Sequence, residues 1–339
     1  MADVYSSTVL QDARAWLKDE SNKKFELRPV KTFILPAFLK DRDFTIPNLS
    51  EIKAATTQTT TAMYFTKKDF TINTTKSNTP SGEKSGTSST DLTWSISGFT
   101  VDLPSKQYDG NEVARMKGFS MSLYNAEKTF WAEFDETLLA YLIANLSTVN
   151  NGSERNGDFS GSTFTIDYAS RDQFYNILDA QMAMNDFGGE TLDIHDTYWK
   201  KFVRHYAAQG SANDENLSYQ FDGFTTYASN KIVPSSSELT AHYVVPLHGI
   251  AIIDWNEPAN KRGDKLNDGS YLGTYQSLFY PEMTFDLFVK SAWGDTTADG
   301  GTVQDKTETF EFSLNYALTT QPFSEAGRTA IQKYNIATS

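Results

Sequence analysis

The sequence predicts an α+β chain, and three observations carry that prediction. Phe310, Phe312, Leu314, Tyr316 and Leu318 alternate strictly with smaller or polar residues, the period of a strand. Ala126, Phe130, Phe134, Leu138, Tyr141 and Leu142 recur at helical spacing within a long segment, Leu123 to Leu146. Between two short alternating runs lies Lys76 to Thr90, which has no large apolar residue and reads as the tip of a long β-hairpin. With 23 Phe, 17 Tyr and 6 Trp in 339 residues, the chain has the bulk to fill sizeable cores.

Taken in order, Val9, Leu10, Ala13, Trp16 and Leu17 form a short amphipathic helix with no neighbouring helix to pack on. Trp16 and Leu17 are therefore expected to bury against another chain or against the underside of the long helix. Val30 to Pro36 and Phe44 to Pro47 are bounded by prolines and read as extended, so the first fifty residues read as an arm. Phe70 and Ile72, then Leu92, Trp94 and Ile96, then Phe99, Val101 and Leu103, give strands of period two. In the long helix the core face is assigned to Phe130, Phe134, Leu138 and Leu142, while Glu127, Lys128, Glu133, Asp135 and Glu136 are placed on the solvated side.

Ser170-Arg-Asp-Gln173 has the form of a capping box and predicts a second helix through Phe174, Ile177, Leu178, Gln181 and Met182, stopped by Gly188-Gly189. A third helix is expected over Asp196 to Gln209, carrying Trp199, Phe202, Val203 and Tyr206. His242 to Ile253 and Met283 to Lys290 read as strands, and the Phe310 to Leu318 strand is expected to bury one face and solvate the other.

The chemistry that can be built from these residues is narrow. There are 30 basic against 43 acidic side chains, a net charge of −13, which argues against a basic face reading duplex DNA. Without cysteine there is no disulfide, thiolate metal site or cysteine nucleophile. No run of about 18 apolar residues is present to span a bilayer. The first residues carry no basic leader with an apolar stretch, so residence in the cytosol is the expectation.

His195 and His205 flank a predicted helix near Asp193 and Asp196, but their spacing does not place two ligands on one helical face, and satisfied histidines are the expectation. Asp264 to Gly269 and Asp295 to Gly300 begin like calcium loops yet lack the acid at position 12, so Asp-Gly turns explain them. No GxSxG, Walker or GxGxxG motif occurs, and Arg262-Gly-Asp264 is three residues of weak meaning. No catalytic, cofactor-binding or metal-ligating residue is therefore assigned. Trp94, Trp255, Tyr271 and Tyr275 leave open a sugar-stacking module, and a tail-tube or sheath subunit is a further alternative.

The order of elements resembles the major capsid proteins of tailed bacteriophages, the Hong Kong 97 type fold. Ala126-Glu127, Phe134-Asp135-Glu136 and Leu138-Leu139 are similar to the way the spine helices of that family are written. Gln181 to Gly189, Tyr219 to Asn230 and Ala330-Ile-Gln-Lys-Tyr334 are also similar to family stretches. The resemblance implies an N-terminal arm over 1–51, an extended β-hairpin loop over 52–118, and a spine helix with the start of a peripheral domain over 119–168. An axial domain over 169–280 and a return to the peripheral domain over 281–339 complete it. It further implies assembly of the chain with itself, as hexamers and pentamers, into an icosahedral shell enclosing double-stranded DNA without sequence-specific contacts. Scaffold, portal and decoration proteins are the other partners it implies, with a virion location, assembly in the host cytoplasm and no membrane. Trp16, Leu17, Lys76 and Lys84 are the expected assembly-interface residues.

Overall fold

The computed structural model describes residues 10–17, 19, 34–65, 72, 74, 82, 87–104, 112–147, 157–160, 162–184, 187, 189–207, 218–221, 223–298, 301–321 and 329–338. Residues 10–17 are helical (α1). Where the two segments read as extended enter the described residues they run into short helices, Leu35–Pro36 opening α2 (Leu35–Leu39) and Phe44–Thr45 closing α3 (Arg42–Thr45), while residues 30–33 lie outside the described residues; α4 (Leu49–Ala54) follows. Pro36 sits in the first turn of α2, where its missing N–H would have had no helical partner, and Pro47 follows the end of α3. A proline in a first turn is compatible with a helix, which the extended reading overlooked.

Strands β1 (Thr61–Phe65) and β2 (Thr87–Asp91) pair antiparallel, from Thr61 opposite Asp91 to Phe65 opposite Thr87. Ile72 is exposed and in no strand, and Phe70 lies outside the described residues. The run at 92–96, from Trp94 on, joins the run at 99–103 in one strand, β3 (Trp94–Pro104), and Leu92 precedes it. Helix α5 (Glu112–Ala144) has 33 residues, about 50 Å at 1.5 Å per residue, and starts well before Leu123. Its apolar stripe extends back through Phe119, which lies one turn before Leu123 and is buried.

Further along come β4 (Gly157–Ser160), β5 (Thr163–Ile166), a 3-10 turn at Tyr168–Gln173, α6 (Phe174–Met184), β6 (Thr191–Asp196) and α7 (Lys200–Ala207). The capping box does not form. Asp167 occupies the N-cap of the 3-10 turn without a side-chain cap, and Ser170 lies inside that turn. The third helix begins at Lys200 because the Asp196 side chain accepts the Tyr198 and Trp199 N–H groups, at 2.7 and 3.2 Å, and turns the chain there. The remaining elements are β7 (Ser218–Phe221), β8 (Phe224–Ser229), β9 (Glu238–Pro246), β10 (Ile250–Trp255), α8 (Pro258–Arg262), β11 (Tyr271–Gln276), β12 (Thr284–Ala298), β13 (Gly301–Thr320) and β14 (Gln332–Ala337).

These strands form two larger sheets. One has seven strands in the order β4-β5-β14-β9-β6-β8-β7, with β14 parallel to β5, β6 parallel to β8, and the other pairs antiparallel. The other is organised on β13, which pairs with β12 and then β10 along one edge and with β3 along the opposite edge. Close pairing of β3 depends on Gly98, where a Cβ would lie 2.3 Å from the Phe312 carbonyl oxygen.

Helix α5 covers one face of the β13 sheet. Phe119 meets Phe310 at 4.7 Å between ring centroids, Phe130 meets Phe285 at 5.2 Å, and Phe134 meets Tyr316 at 4.8 Å. The same core continues through Leu192, Ile194, Tyr243 and Val245 onto one face of the seven-stranded sheet. The opposite face of that sheet is covered by α6 and α7 through Phe174, Leu178, Trp199 and Val203. The Phe310 to Leu318 strand is solvated on one side only near Glu311. Beyond Leu314 both faces are buried, because Ile46, α4, β1 and Leu92 cover Ala317, Ala251 and Ile253 from the far side. Among the described residues no helix is long and apolar enough to cross a membrane.

Candidate assembly site

Phe130, Phe134, Leu138 and Leu142 are all buried, with Trp131 beside them. Leu17 is buried against Tyr124 of α5, and Trp16 is half-buried in the same small cluster with Leu278 and Phe279. The N-terminal helix is further tied to β11, since Arg14 donates to Gln276 at 3.2 Å and lies 5.6 Å from the Tyr275 ring centroid. Lys76 and Lys84 lie outside the described residues.

The acids of α5 do not form one solvated face. Glu133 and Glu136 are exposed, but Glu127 and Asp135 are fully buried. Glu127 accepts from the Tyr275 hydroxyl at 2.9 Å, the Ser277 hydroxyl at 2.5 Å, the Leu278 N–H at 2.8 Å and the Trp131 indole at 3.2 Å. Burial raises its pKa, and these four donors oppose the rise. Through Glu127 the segment between β11 and β12 is fastened to the long helix.

Asp135 joins three parts of the molecule. One oxygen accepts the Ile34 N–H at the start of α2, and the other accepts the Ser229 hydroxyl at the end of β8, both at 2.5 Å. Burial pushes its pKa up to about 6 against the lowering effect of Ser229 and of the Ile34 and Leu35 amides. The folded state therefore holds this proton more tightly than the unfolded chain does. The resulting stability is complete below the unfolded value near 4 and is lost as pH rises through about 6. Asp135→Asn removes the titration while keeping an acceptor. Its stability relative to the parent is expected to improve by on the order of 3 kcal/mol between about pH 4 and about pH 8. Urea midpoints of both proteins at the two pH values check this, and a difference independent of pH would contradict it.

The histidine and carboxylate group suggested by the sequence is real but differently composed. His195 faces His242 across the β6–β9 pair, at 5.7 Å between rings, and the side chain of His205 lies outside the described residues. Asp193 accepts from the Tyr175 hydroxyl at 2.9 Å and meets His242 Nδ1 at 2.8 Å, while the Trp199 indole donates to the Tyr175 oxygen at 3.0 Å. Burial pushes the Asp193 carboxyl up, but His242, His195 and the Tyr175 hydroxyl together outweigh it and leave the group below its usual range. Burial holds His195 below the ordinary imidazole value.

Asp193, His195, Asp196 and His242 are all essentially without solvent contact, so this network fastens α6 and α7 to the sheet and is closed to substrate. Among the described residues no group of three or more His, Asp or Glu is placed to hold a metal ion. Asp268 accepts from the Ser270 N–H and hydroxyl in a local turn. The aromatic set considered for sugar stacking is taken up in packing: Tyr275 and Trp255 are buried, and Trp94 packs 6.4 Å from Trp255.

What the surface does offer is extended, with a few exposed aromatic side chains. Strand β3 pairs with nothing on its outer edge among the described residues, and beside it a groove of about 520 Å³ runs between Gly98, Phe99, Phe130 and Glu133. Beyond the ends of β11 and β3, strands β12 and β13 continue as a two-stranded ribbon, with Trp293 70% exposed and paired across to Lys306. Phe44 is 69% exposed and rests on the His248 ring. Sequence pattern did not mark Trp293 or Phe44 as exposed, because an isolated aromatic carries no period that tells which way it faces.

No protein-family model and no curated protein sequence matches the chain. In fold it is similar to a solved structure from Mycobacterium phage Adephagia, at 10% identity and a TM-score of 0.42, over 85% of this chain and 88% of that one. It is similar to the capsid of Ralstonia phage GP4, at 8% identity and a TM-score of 0.43, over 82% of this chain and 84% of that one. A third similar structure is the cyanophage Pam1 capsid asymmetric unit, at 10% identity and a TM-score of 0.42, over 85% of this chain and 87% of that one.

Proposed function

We propose that the chain is a structural shell subunit, a major capsid protein that assembles with itself as hexamers and pentamers into an icosahedral shell around the double-stranded DNA of a tailed phage. The observation that carries the reading is the succession of parts. An N-terminal segment lies on the long helix, a β-hairpin follows, and then a 33-residue helix backs one sheet while a second sheet builds the other half. This order supports the layout that the sequence resemblance implies, that of the Hong Kong 97 type fold.

Several features support it. The edge of β3 that no described strand pairs, the ribbon bearing Trp293 and the exposed Phe44 are surfaces of the kind that association covers. Trp16, half-exposed, is the member of the N-terminal pair that a neighbouring subunit can still cover, and Lys76 and Lys84 are assigned to the same role. A net charge of −13 suits a lining that leaves enclosed DNA free to move, without sequence-specific contacts. Scaffold, portal and decoration proteins belong to the same reading as partners, the virion as its location and the host cytoplasm as the place of assembly. Electron microscopy of the purified full chain tests it. Closed shells are expected, whereas stacked rings would point to a tail tube and dispersed monomers under all assembly conditions would overturn the proposal.

A further inference from the structure

The two sheets are joined covalently by a short turn, since β9 ends at Pro246 and β10 begins at Ile250. Between them lies the segment 34–54, and its contacts divide in an unusual way. Lys40 bonds to Glu190 and, at 3.0 Å, to Thr225, both in the seven-stranded half. Arg42, two residues on, pairs with Asp254 of β10 at 2.8 Å and donates to the Glu282 carbonyl at 3.3 Å, both in the other half. Lys53 reinforces that side, 2.6 Å from the same Asp254 oxygen.

The residue between the two cations, Asp41, adopts a left-handed backbone, with φ of 49°. His248, in the connecting turn, has φ of 71°. Asp41 and His248 are the two non-glycine residues with positive φ among the described residues, and they meet through Thr45. Its hydroxyl donates to the Asp41 carbonyl at 3.1 Å and lies 3.2 Å from His248 Nδ1. Sterically disfavoured backbone at two points linked by one hydroxyl persists where surrounding contacts hold it.

We propose that residues 34–54 form a strap that sets the angle between the two sheets, with Lys40 and Arg42 as opposed clamps and the turn at 247–249 as the hinge. The left-handed kink at Asp41 lets neighbouring side chains of one short segment grip opposite halves. Loss of the Lys40 clamp loosens the strap's grip on the seven-stranded half and widens the range of angles that the shared core allows, while Arg42 and Lys53 keep the strap on the other. The device concerns the single subunit and stands whether or not the chain builds shells.

The test uses the absence of cysteine, which makes two introduced cysteines unique labelling sites. Spin labels at Glu311 of β13 and Asp179 of α6, both exposed, report the distance between the halves in the full chain. The parent is expected to give one narrow distance, Lys40→Gln a broadened or doubled one, and Lys53→Gln the parental one. The exchange Lys40→Glu with Glu190→Lys restores the clamp with reversed polarity and is expected to restore the narrow distance. A narrow distance in Lys40→Gln, equal broadening in Lys53→Gln, or failure of the exchange to restore it would each overturn the strap.

Discussion

Phe134→Asp is expected to yield no soluble folded protein, while Glu133→Ala, one residue away, folds with near-parental stability. Phe134 is buried between Phe130, Trp131 and Tyr316, with ring centroids 5.6, 5.6 and 4.8 Å away. An aspartate there would sit in a wall of aromatic rings, and the lost Phe packing together with a buried carboxyl, charged or neutralised by a proton, costs an amount comparable to the roughly 5–15 kcal/mol by which domains are stable. Glu133 is exposed and its truncation falls within about 0.5 kcal/mol. Soluble yield and thermal unfolding of the two variants decide the matter. Similar behaviour would mean that the buried face of α5 is misassigned.

Glu127→Ala is expected to cost on the order of 4 kcal/mol, because it orphans buried donors at about 1–3 kcal/mol each. The donors come from Trp131, Tyr275, Ser277 and Leu278, so the loss also releases the segment before β12 from the helix. Glu127→Gln keeps one acceptor oxygen, and the Tyr275 hydroxyl can turn to accept from the new amide, so less than half of the cost is expected. Urea unfolding midpoints of the parent and both variants check the order. Equal midpoints for Ala and Gln would show that hydrogen bonding to this side chain does not hold the segment.

These two positions also show what a sequence can disclose. Phe130, Phe134, Leu138 and Leu142 were legible because helical period alone places them on one face. Glu127 lies four residues after Leu123 and three before Phe130, and Asp135 lies four after Trp131 and three before Leu138, so both share the apolar spacing. Their charge suggested solvent. What reverses that inference is a set of donors far along the chain, at Tyr275, Ser277 and Leu278 for one and at Ile34 and Ser229 for the other.

Spacing along one helix carries no trace of such partners. His195 likewise finds His242 only once β6 and β9 are in register, whereas the sequence offered the nearer His205. The alternation from Phe310 to Leu318 revealed a strand but not the second cover supplied by α4, β1 and Leu92.

The place of β14 in the seven-stranded sheet has a consequence for the order of folding. It is the last strand of the sheet to be synthesised, yet it lies in the interior, parallel to β5 on one side and antiparallel to β9 on the other. A nascent chain that has not reached Gln332 therefore holds β4–β5 and β9–β6–β8–β7 as separate pieces, each with an open edge. Joining them requires closing loops that enclose most of the half-molecule, a slow step of high contact order. Until that moment the open edges of β5 and β9 are templates for other strands, so growing chains on neighbouring ribosomes are exposed to mispairing. The same delay acts as a timer, because the seven-stranded half reaches its final form only after β13 has been made.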